Sequence, residues 1–327
     1  MAVRRKSFKA YAARRLALTL PVIFFVLILN FFIIHMAPGD PVYMYIGTGR
    51  ISPEYLDMMR HVYGLDRPLP EQLLLQIIRV FQGNLGFSLW YKTPVTDLIL
   101  SRIPATLVLM STALIYATLI GVVMGALSAK KYGSLTDKVL TSFALLGYSM
   151  PTFWLAQVLV LVFSFYVGWF PSGGMITMGA GYTGFRYMVD VAWHLVLPAF
   201  CLGSFYLALI CRTTRGNLLD ALSKDYIRTA KAKGLSEWQV LKHGLRNSLL
   251  PLATVLGLNL AFFFAGAVVV ETVYSWPGMG RLIYDALWAR DYPLLLGSFF
   301  ITSVMVVSVN FITDLLYGYL DPRVRLY

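Results

Sequence analysis

The sequence predicts an all-α integral membrane protein with six transmembrane helices, and three observations carry that prediction. Of its 327 residues, 58% are hydrophobic and only 13% charged, with a mean hydropathy of +0.66. A soluble domain carries about 25% charged residues and at most about half apolar ones. Six uncharged apolar runs follow one another: Leu16–Met36, Ile103–Ala129, Val139–Gly168, Trp193–Cys211, Asn247–Val270 and Tyr292–Thr313. Each has at least 19 residues, close to the ~20 that a helix needs to cross a ~30 Å hydrocarbon core. The third observation is a charge asymmetry between the connecting segments. Segments 1–15, 130–138, 212–246 and 314–327 hold 19 basic and 6 acidic residues, whereas 37–102, 169–192 and 271–291 hold 9 and 10. The positive-inside rule puts the first group, with both chain ends, in the cytoplasm.

The net charge of +12 therefore orients the chain in a lipid bilayer. It does not point to nucleic acid, which would require the basic residues to gather on one solvated face. Cys201 and Cys211 are ten residues apart in one apolar run, roughly 15 Å along a helix at ~1.5 Å per residue. That separation excludes a disulfide between them.

The elements follow in order. Residues 1–15 carry Arg4, Arg5, Lys6, Lys9, Arg14 and Arg15 ahead of the first span, 16–36. That run is long and lacks a small-x-small cleavage site, so it reads as a retained helix and not a signal peptide. The extracytoplasmic segment 37–102 carries turn signals at Pro38-Gly39-Asp40-Pro41 and Gly64-Leu-Asp-Arg-Pro68. Amphipathic stretches at Ser52–Val62 and Glu71–Phe81 follow them. Loops this long are seldom mere connectors, and a small helical lid or docking platform is expected. In the second span, 103–129, Pro104 stands where a first-turn proline costs no hydrogen bond, and Gly121-Val-Val-Met-Gly125 offers a small face for close helix contact. The third span, 139–168, contains Pro151, and the fourth, 193–211, contains Pro198. Each is either a kink or a proline tolerated because neighbours satisfy the freed carbonyl.

The cytoplasmic segment 212–246 is the most patterned. Leu218, Leu222, Tyr226 and Ala230 make one i, i+4 line with the cations largely off it, so a helix over 218–233 is expected, stopped by Gly234. Ser236-Glu-Trp-Gln239 reads as a capping box opening the next helix. Physics alone leaves three uses open for this segment: an interfacial helix on anionic lipid, a solvated basic loop, or a docking helix for a soluble partner. The fifth span, 247–270, leads to segment 271–291, where Tyr274-Ser-Trp-Pro-Gly-Met-Gly280 suits either a gate or an aromatic-belt anchor. The sixth span, 292–313, precedes a cytoplasmic tail, 314–327.

Polar side chains inside spans face a bundle interior or a cavity. Asn30, Gln157, Asn259 and Asn310, with Tyr148 and Thr152 beside Pro151, either line a path or glue helices together. No span holds an acid or lysine of the kind a secondary carrier uses for ion coupling. The chain has no G-x-x-x-x-G-K-[ST], H-E-x-x-H or G-x-S-x-G sequence, so the common ATPase, zinc-protease and serine-hydrolase signatures are missing.

The run Asp225-Tyr-Ile-Arg-Thr-Ala-Lys-Ala-Lys-Gly234, followed by His243-Gly-Leu-Arg-Asn-Ser-Leu-Leu-Pro251, resembles the "EAA" loop of ABC importer permeases. It is most similar to the dipeptide/oligopeptide permease family. Arg228-Thr229-Ala230 stands at the first triplet, and the gap to Pro251 is longer than in the general pattern, as suits the peptide branch. The resemblance extends over nearly the whole chain, through Pro38–Pro41, Tyr63-Gly-Leu-Asp-Arg-Pro68, Gly83-Asn-Leu-Gly-Phe-Ser88, Ser275–Arg281, Arg290-Asp-Tyr-Pro293 and Asp321-Pro-Arg323. It implies a type I ABC importer permease fold in a prokaryotic inner membrane. It also implies four kinds of partner besides lipid: a second homologous permease, two cytoplasmic ATPases that bind ATP and Mg²⁺, and an extracytoplasmic substrate-binding protein. The chain itself would hold no cofactor or metal and catalyse nothing. The coupling residues so implied are Ala221, Leu222, Asp225, Tyr226, Arg228, Thr229, Ala230, Lys233 and Gly234. The cargo implied is a di- or oligopeptide; similar permeases carry glutathione, nickel chelates or oligosaccharides.

Overall fold

A computed structural model describes residues 8–36, 66–88 and 90–320, together with 54, 57, 58, 60, 61 and 64. The Pro38–Pro41 turn, the Ser52 helix start, Tyr63 and the Asp321–Arg323 motif lie outside the described residues. The architecture is helical, with one short hairpin. Among the described residues, four helices are long and apolar enough to cross a membrane, and a fifth crossing arises if a bent pair counts as one span. A further 37-residue helix contains the Asn247–Val270 run, so the six apolar runs appear in their predicted order.

Helix α1 (Phe8–His35) runs antiparallel to the last helix, α10 (Tyr292–Leu320). At one end Tyr11 donates to the Asp314 carbonyl (3.1 Å) and Arg15 pairs with the Asp314 carboxylate (3.0 Å). At the other, Ile34 packs with Leu294 and Leu295. In segment 37–102, α2 (Leu69–Phe81) forms where Glu71–Phe81 was expected to be amphipathic. Ahead of it the His61 imidazole bonds Asp66 (2.7 Å), which holds that carboxyl below its usual range. The antiparallel pair β1 (Phe87–Ser88) and β2 (Thr93–Pro94) follows, an element that helical periodicity could not announce.

Helix α3 (Val95–Lys130) begins eight residues before the predicted span. Pro104 is therefore an interior residue and not a first-turn one, and it removes the helical donor to the Leu100 carbonyl. The third apolar run, 139–168, falls on a bent pair of helices. It is two pieces, α4 (Leu135–Ser149) and α5 (Thr152–Leu159), the second continuing as a π-helical stretch Val160–Tyr166; the two halves bend by 106°. Proline cannot donate, and it drives Met150 out of the helical region, to φ −84°, ψ 129°. Pro198 behaves differently, lying inside an unbroken helix, α6 (Gly184–Leu222). At ~1.5 Å per residue those 39 residues reach about 58 Å. Helix α6 thus runs beyond the 193–211 apolar run at both ends.

Helix α6 is the axis of the fold. The Gly121/Gly125 face of α3 lies on it: a Cβ on Gly121 would meet the Ile210 side chain at 2.9 Å, and one on Gly125 would meet the Cys211 carbonyl at 2.5 Å. Small residues here let the backbones approach, as the spacing predicted. The remaining elements are α7 (Asp225–Ala232), α8 (Glu237–Val273), α9 (Met279–Trp288) and α10.

Candidate coupling site and its supports

The segment between α6 and α8 is not the single helix expected over 218–233. Helix α6 ends at Leu222, Lys224 is extended (φ −77°, ψ 155°), and α7 starts afresh at Asp225. The i, i+4 line divides accordingly. Leu218 and Leu222 belong to α6 and pack with Leu241 and Leu245 of α8 and with Ala129 of α3. Tyr226, on α7, is 41% exposed. Only Ile227 of α7 is buried, at 1% exposure.

The implied coupling residues are otherwise turned outward. Asp225, Arg228, Thr229 and Lys233 are exposed, Ala230 is half-buried, and Ala221 and Leu222 sit in the α6 end beneath them. Arg228 pairs with Asp225 at 3.4 Å, both side chains being more than 80% exposed, so the pair adds little to stability. The α7 end is a Schellman turn: Gly234 N–H donates to the Lys231 carbonyl (2.9 Å) and Leu235 N–H to the Ala230 carbonyl (3.3 Å). Gly234 holds φ +75° with nothing near its absent Cβ, so backbone handedness, not space, is the constraint there. Helix α8 then opens with the predicted capping box of Ser236 and Gln239. One face of α7 is thus seated on a fixed frame through one side chain, and the rest is free to bind.

Three buried acids that sequence reasoning passed over tie other elements of the fold together. Asp137, next to the third span, accepts two bonds from Arg215 of α6, Nε at 2.8 Å and Nη2 at 2.9 Å. Glu271, near the C-terminal end of α8, is 0% exposed. Its Oε1 accepts from the Thr106 hydroxyl (2.7 Å), and its Oε2 from the Gly280 and Arg281 N–H groups (2.7 and 3.1 Å). Nearby, Trp276 Nε1 donates to the Ala105 carbonyl (2.9 Å) and the Tyr274 hydroxyl to the Ala156 carbonyl (3.2 Å). Asp291 joins the hairpin to α10, accepting from the Ser88 hydroxyl (2.6 Å) and from Leu294 N–H (3.1 Å). Beside it, burial and then the neighbouring Asp285 carboxylate push the Tyr91 phenol up. A shared signal was present: each acid lies within two residues of an uncharged run, at the membrane edge, where a carboxylate needs partners.

The polar span residues do not converge in the same way. Tyr148 stacks on Phe205 of α6 (4.7 Å), and the Thr152 carbonyl accepts from the Cys201 thiol (3.5 Å), so both lie at the Pro151 break. Asn30 Nδ2 is buried on α1 with no hydrogen-bond partner among the described residues. Gln157 and Asn310 are exposed on α5 and α10. The Asn259 side chain lies outside the described residues.

Comparison with known proteins agrees with this geometry. The family described as binding-protein-dependent transport system inner membrane component matches residues 117–326, and its N-terminal component matches 9–110. The chain is 40% identical to the di/tripeptide transport system permease protein DppB of Pseudomonas aeruginosa, over 97% of this chain and 98% of that one. It is 42% identical to the oligopeptide transport system permease protein AppB of Bacillus subtilis (97% and 99%). It is 38% identical to the glutathione transport system permease protein GsiC of Escherichia coli (96% and 98%). A solved structure of the MetNI methionine ABC transporter matches with a TM-score of 0.54 at 16% identity, over 68% of this chain and 96% of that one. That match shows the type I importer permease fold.

Proposed function

The chain belongs to the family of binding-protein-dependent transport system inner membrane components, and we propose that its cargo is a di- or oligopeptide. It is a multi-pass inner-membrane permease of an ABC importer, a class that works with ATPase and substrate-binding partners. Two relatives named for peptide transport, each matched over nearly its whole length, support the peptide reading. In the assembly we infer, this chain forms half of the path beside a second homologous permease, both termini face the cytoplasm, and a binding protein delivers peptide from outside. Two cytoplasmic ATPases bind ATP and Mg²⁺, and this chain hydrolyses nothing itself. The element that couples the two activities is α7 with its flanks, residues 221–234. The observation that carries this assignment is the exposure pattern of α7: an eight-residue helix with one buried side chain, held between two helices that each run the depth of the bilayer. ATP-driven closure of the ATPases would move such an element as a rigid body and rock the spans between outward-open and inward-open states.

The test is ATP hydrolysis by the reconstituted complex in response to peptide-loaded binding protein. Wild type should be stimulated. Gly234→Val should assemble but lose most of the stimulation, since a β-branched residue in left-handed backbone costs about 1–2 kcal/mol or more and re-aims α7. Gly234→Asn, which tolerates that backbone, should retain it. Equal stimulation of the valine variant and wild type contradicts the assignment.

A further inference from the structure

We propose that the Asp137–Arg215 ion pair is the joint through which displacement of α7 reaches the broken span α4–α5. The inference rests on the coupling reading of α7.

Four parts of the chain meet at the Asp137 carboxylate, which is 4% exposed. Arg215 of α6 clasps both oxygens with its planar fork. Ser128, in the last turn of α3, donates its hydroxyl to Oδ1, as does Thr141 of α4 (3.3 Å). The Gly133 N–H, from the α3–α4 turn, donates to Oδ2 (3.0 Å). The Tyr132 ring covers the guanidinium, 5.2 Å from its centroid. A bidentate arginine–carboxylate contact fixes direction as well as distance, so this is a rigid connection and not a tether.

Its position gives it a use. Arg215 precedes the α6 end at Leu222 by two turns, about 10 Å at ~1.5 Å per residue, and α7 hangs from that end. Along the stretch of α6 that ends at Arg215, Gly121 and Gly125 bring α3 and α6 into close backbone contact, and close packing of this kind favours movement of the two helices as one body. Helix α4 is held far less. Asp137 and Ala144 are its only buried residues, while Val139, Phe143, Leu145 and Leu146 are exposed. Ala144, the close approach of Gly147 to Ser204 and the Tyr148–Phe205 stack also touch α6, but among the described residues the ion pair is the charged, directional connection between α4 and α6. At its far end lies the 106° break, and α5 beyond the break meets the outer face where the Tyr274 hydroxyl reaches Ala156. The pair therefore lies where movement generated at α7 passes from the α3–α6 body into the bent span found among the described residues.

Asp137 and Arg215 are positioning residues, and the test separates that role from simple stapling by reading peptide transported per ATP hydrolysed in proteoliposomes of the full complex. Asp137→Asn keeps the shape and removes the charge; ATP hydrolysis should continue while transport per ATP falls about tenfold, within the range that changes along a coupling network produce. Arg215→Lys keeps the charge but loses the fork, and should fall between. A staple alone would lower the yield of assembled complex and leave the ratio per complex unchanged. Should Asp137→Asn not be recovered from the membrane, Arg215→Lys decides by the same ratio. A wild-type ratio in the recovered variants overturns the inference. Gly234→Val stimulated by peptide as strongly as wild type would instead overturn the reading of α7, which keeps the two failures distinct.

Discussion

Glu271→Ala is expected to be strongly destabilising where α3, α8 and α9 meet. The carboxylate is fully buried and receives three donors, the Thr106 hydroxyl and the Gly280 and Arg281 N–H groups. Removing it strands each of them, at about 1–3 kcal/mol apiece. The loss extends further because the carboxylate also sits at the positive N-terminus of α9, a placement that favours an anion. Gly278 and Gly280 pack directly against it, and Thr106 in turn accepts from Met279 N–H (2.7 Å). Glutamine keeps an acceptor oxygen and the shape. The thermal transition of the purified chain in detergent should therefore fall steeply for alanine and modestly for Glu271→Gln. Equal transitions for alanine and wild type would show that Glu271 does not hold α9 in place.

The second large effect is functional. Ile227 is the single side chain that seats α7 on the frame. Ile227→Ala should cost about 2–5 kcal/mol of local packing, whereas Ile227→Val should cost about 0.5–1.5. Because α7 contributes little else to the core, the membrane-embedded helices should stay folded. Peptide-stimulated ATP hydrolysis should be lost in the alanine variant and largely kept in the valine one. Loss of the assembled complex in parallel with the hydrolysis would assign Ile227 to stability instead of coupling.

The sequence revealed the helices and their order because hydrocarbon excludes charge, and six uncharged runs leave few alternatives. It was silent about where helices end in water. Residues 184–192 and 212–222 extend α6 beyond the bilayer with polar residues that hydropathy passes over. The break at Lys224 was hidden because the spacing Leu218, Leu222, Tyr226, Ala230 continues through it, with neither glycine nor proline to mark it. Gly234, by contrast, was readable, since its left-handed turn is what a glycine after a helix signals. Pro151 and Pro198 look alike as residues, yet one breaks its span and the other lies inside a continuous helix. The difference lies in tertiary surroundings that no local pattern encodes. The supporting frame was least visible, because Arg215, Thr106 and Ser88, which bind Asp137, Glu271 and Asp291, are 78, 165 and 203 residues away from them in the chain.

The central claim is that α7 is the surface that meets the ATPase. A photo-crosslinking residue at Arg228, whose side chain is 81% exposed, tests it in the assembled complex, with a second probe at the exposed outer residue Leu287 as the comparison. The Arg228 probe should capture an ATPase subunit on illumination and the Leu287 probe should not. An Arg228 probe that captures lipid alone, in a complex that still hydrolyses ATP in response to peptide, would contradict the account.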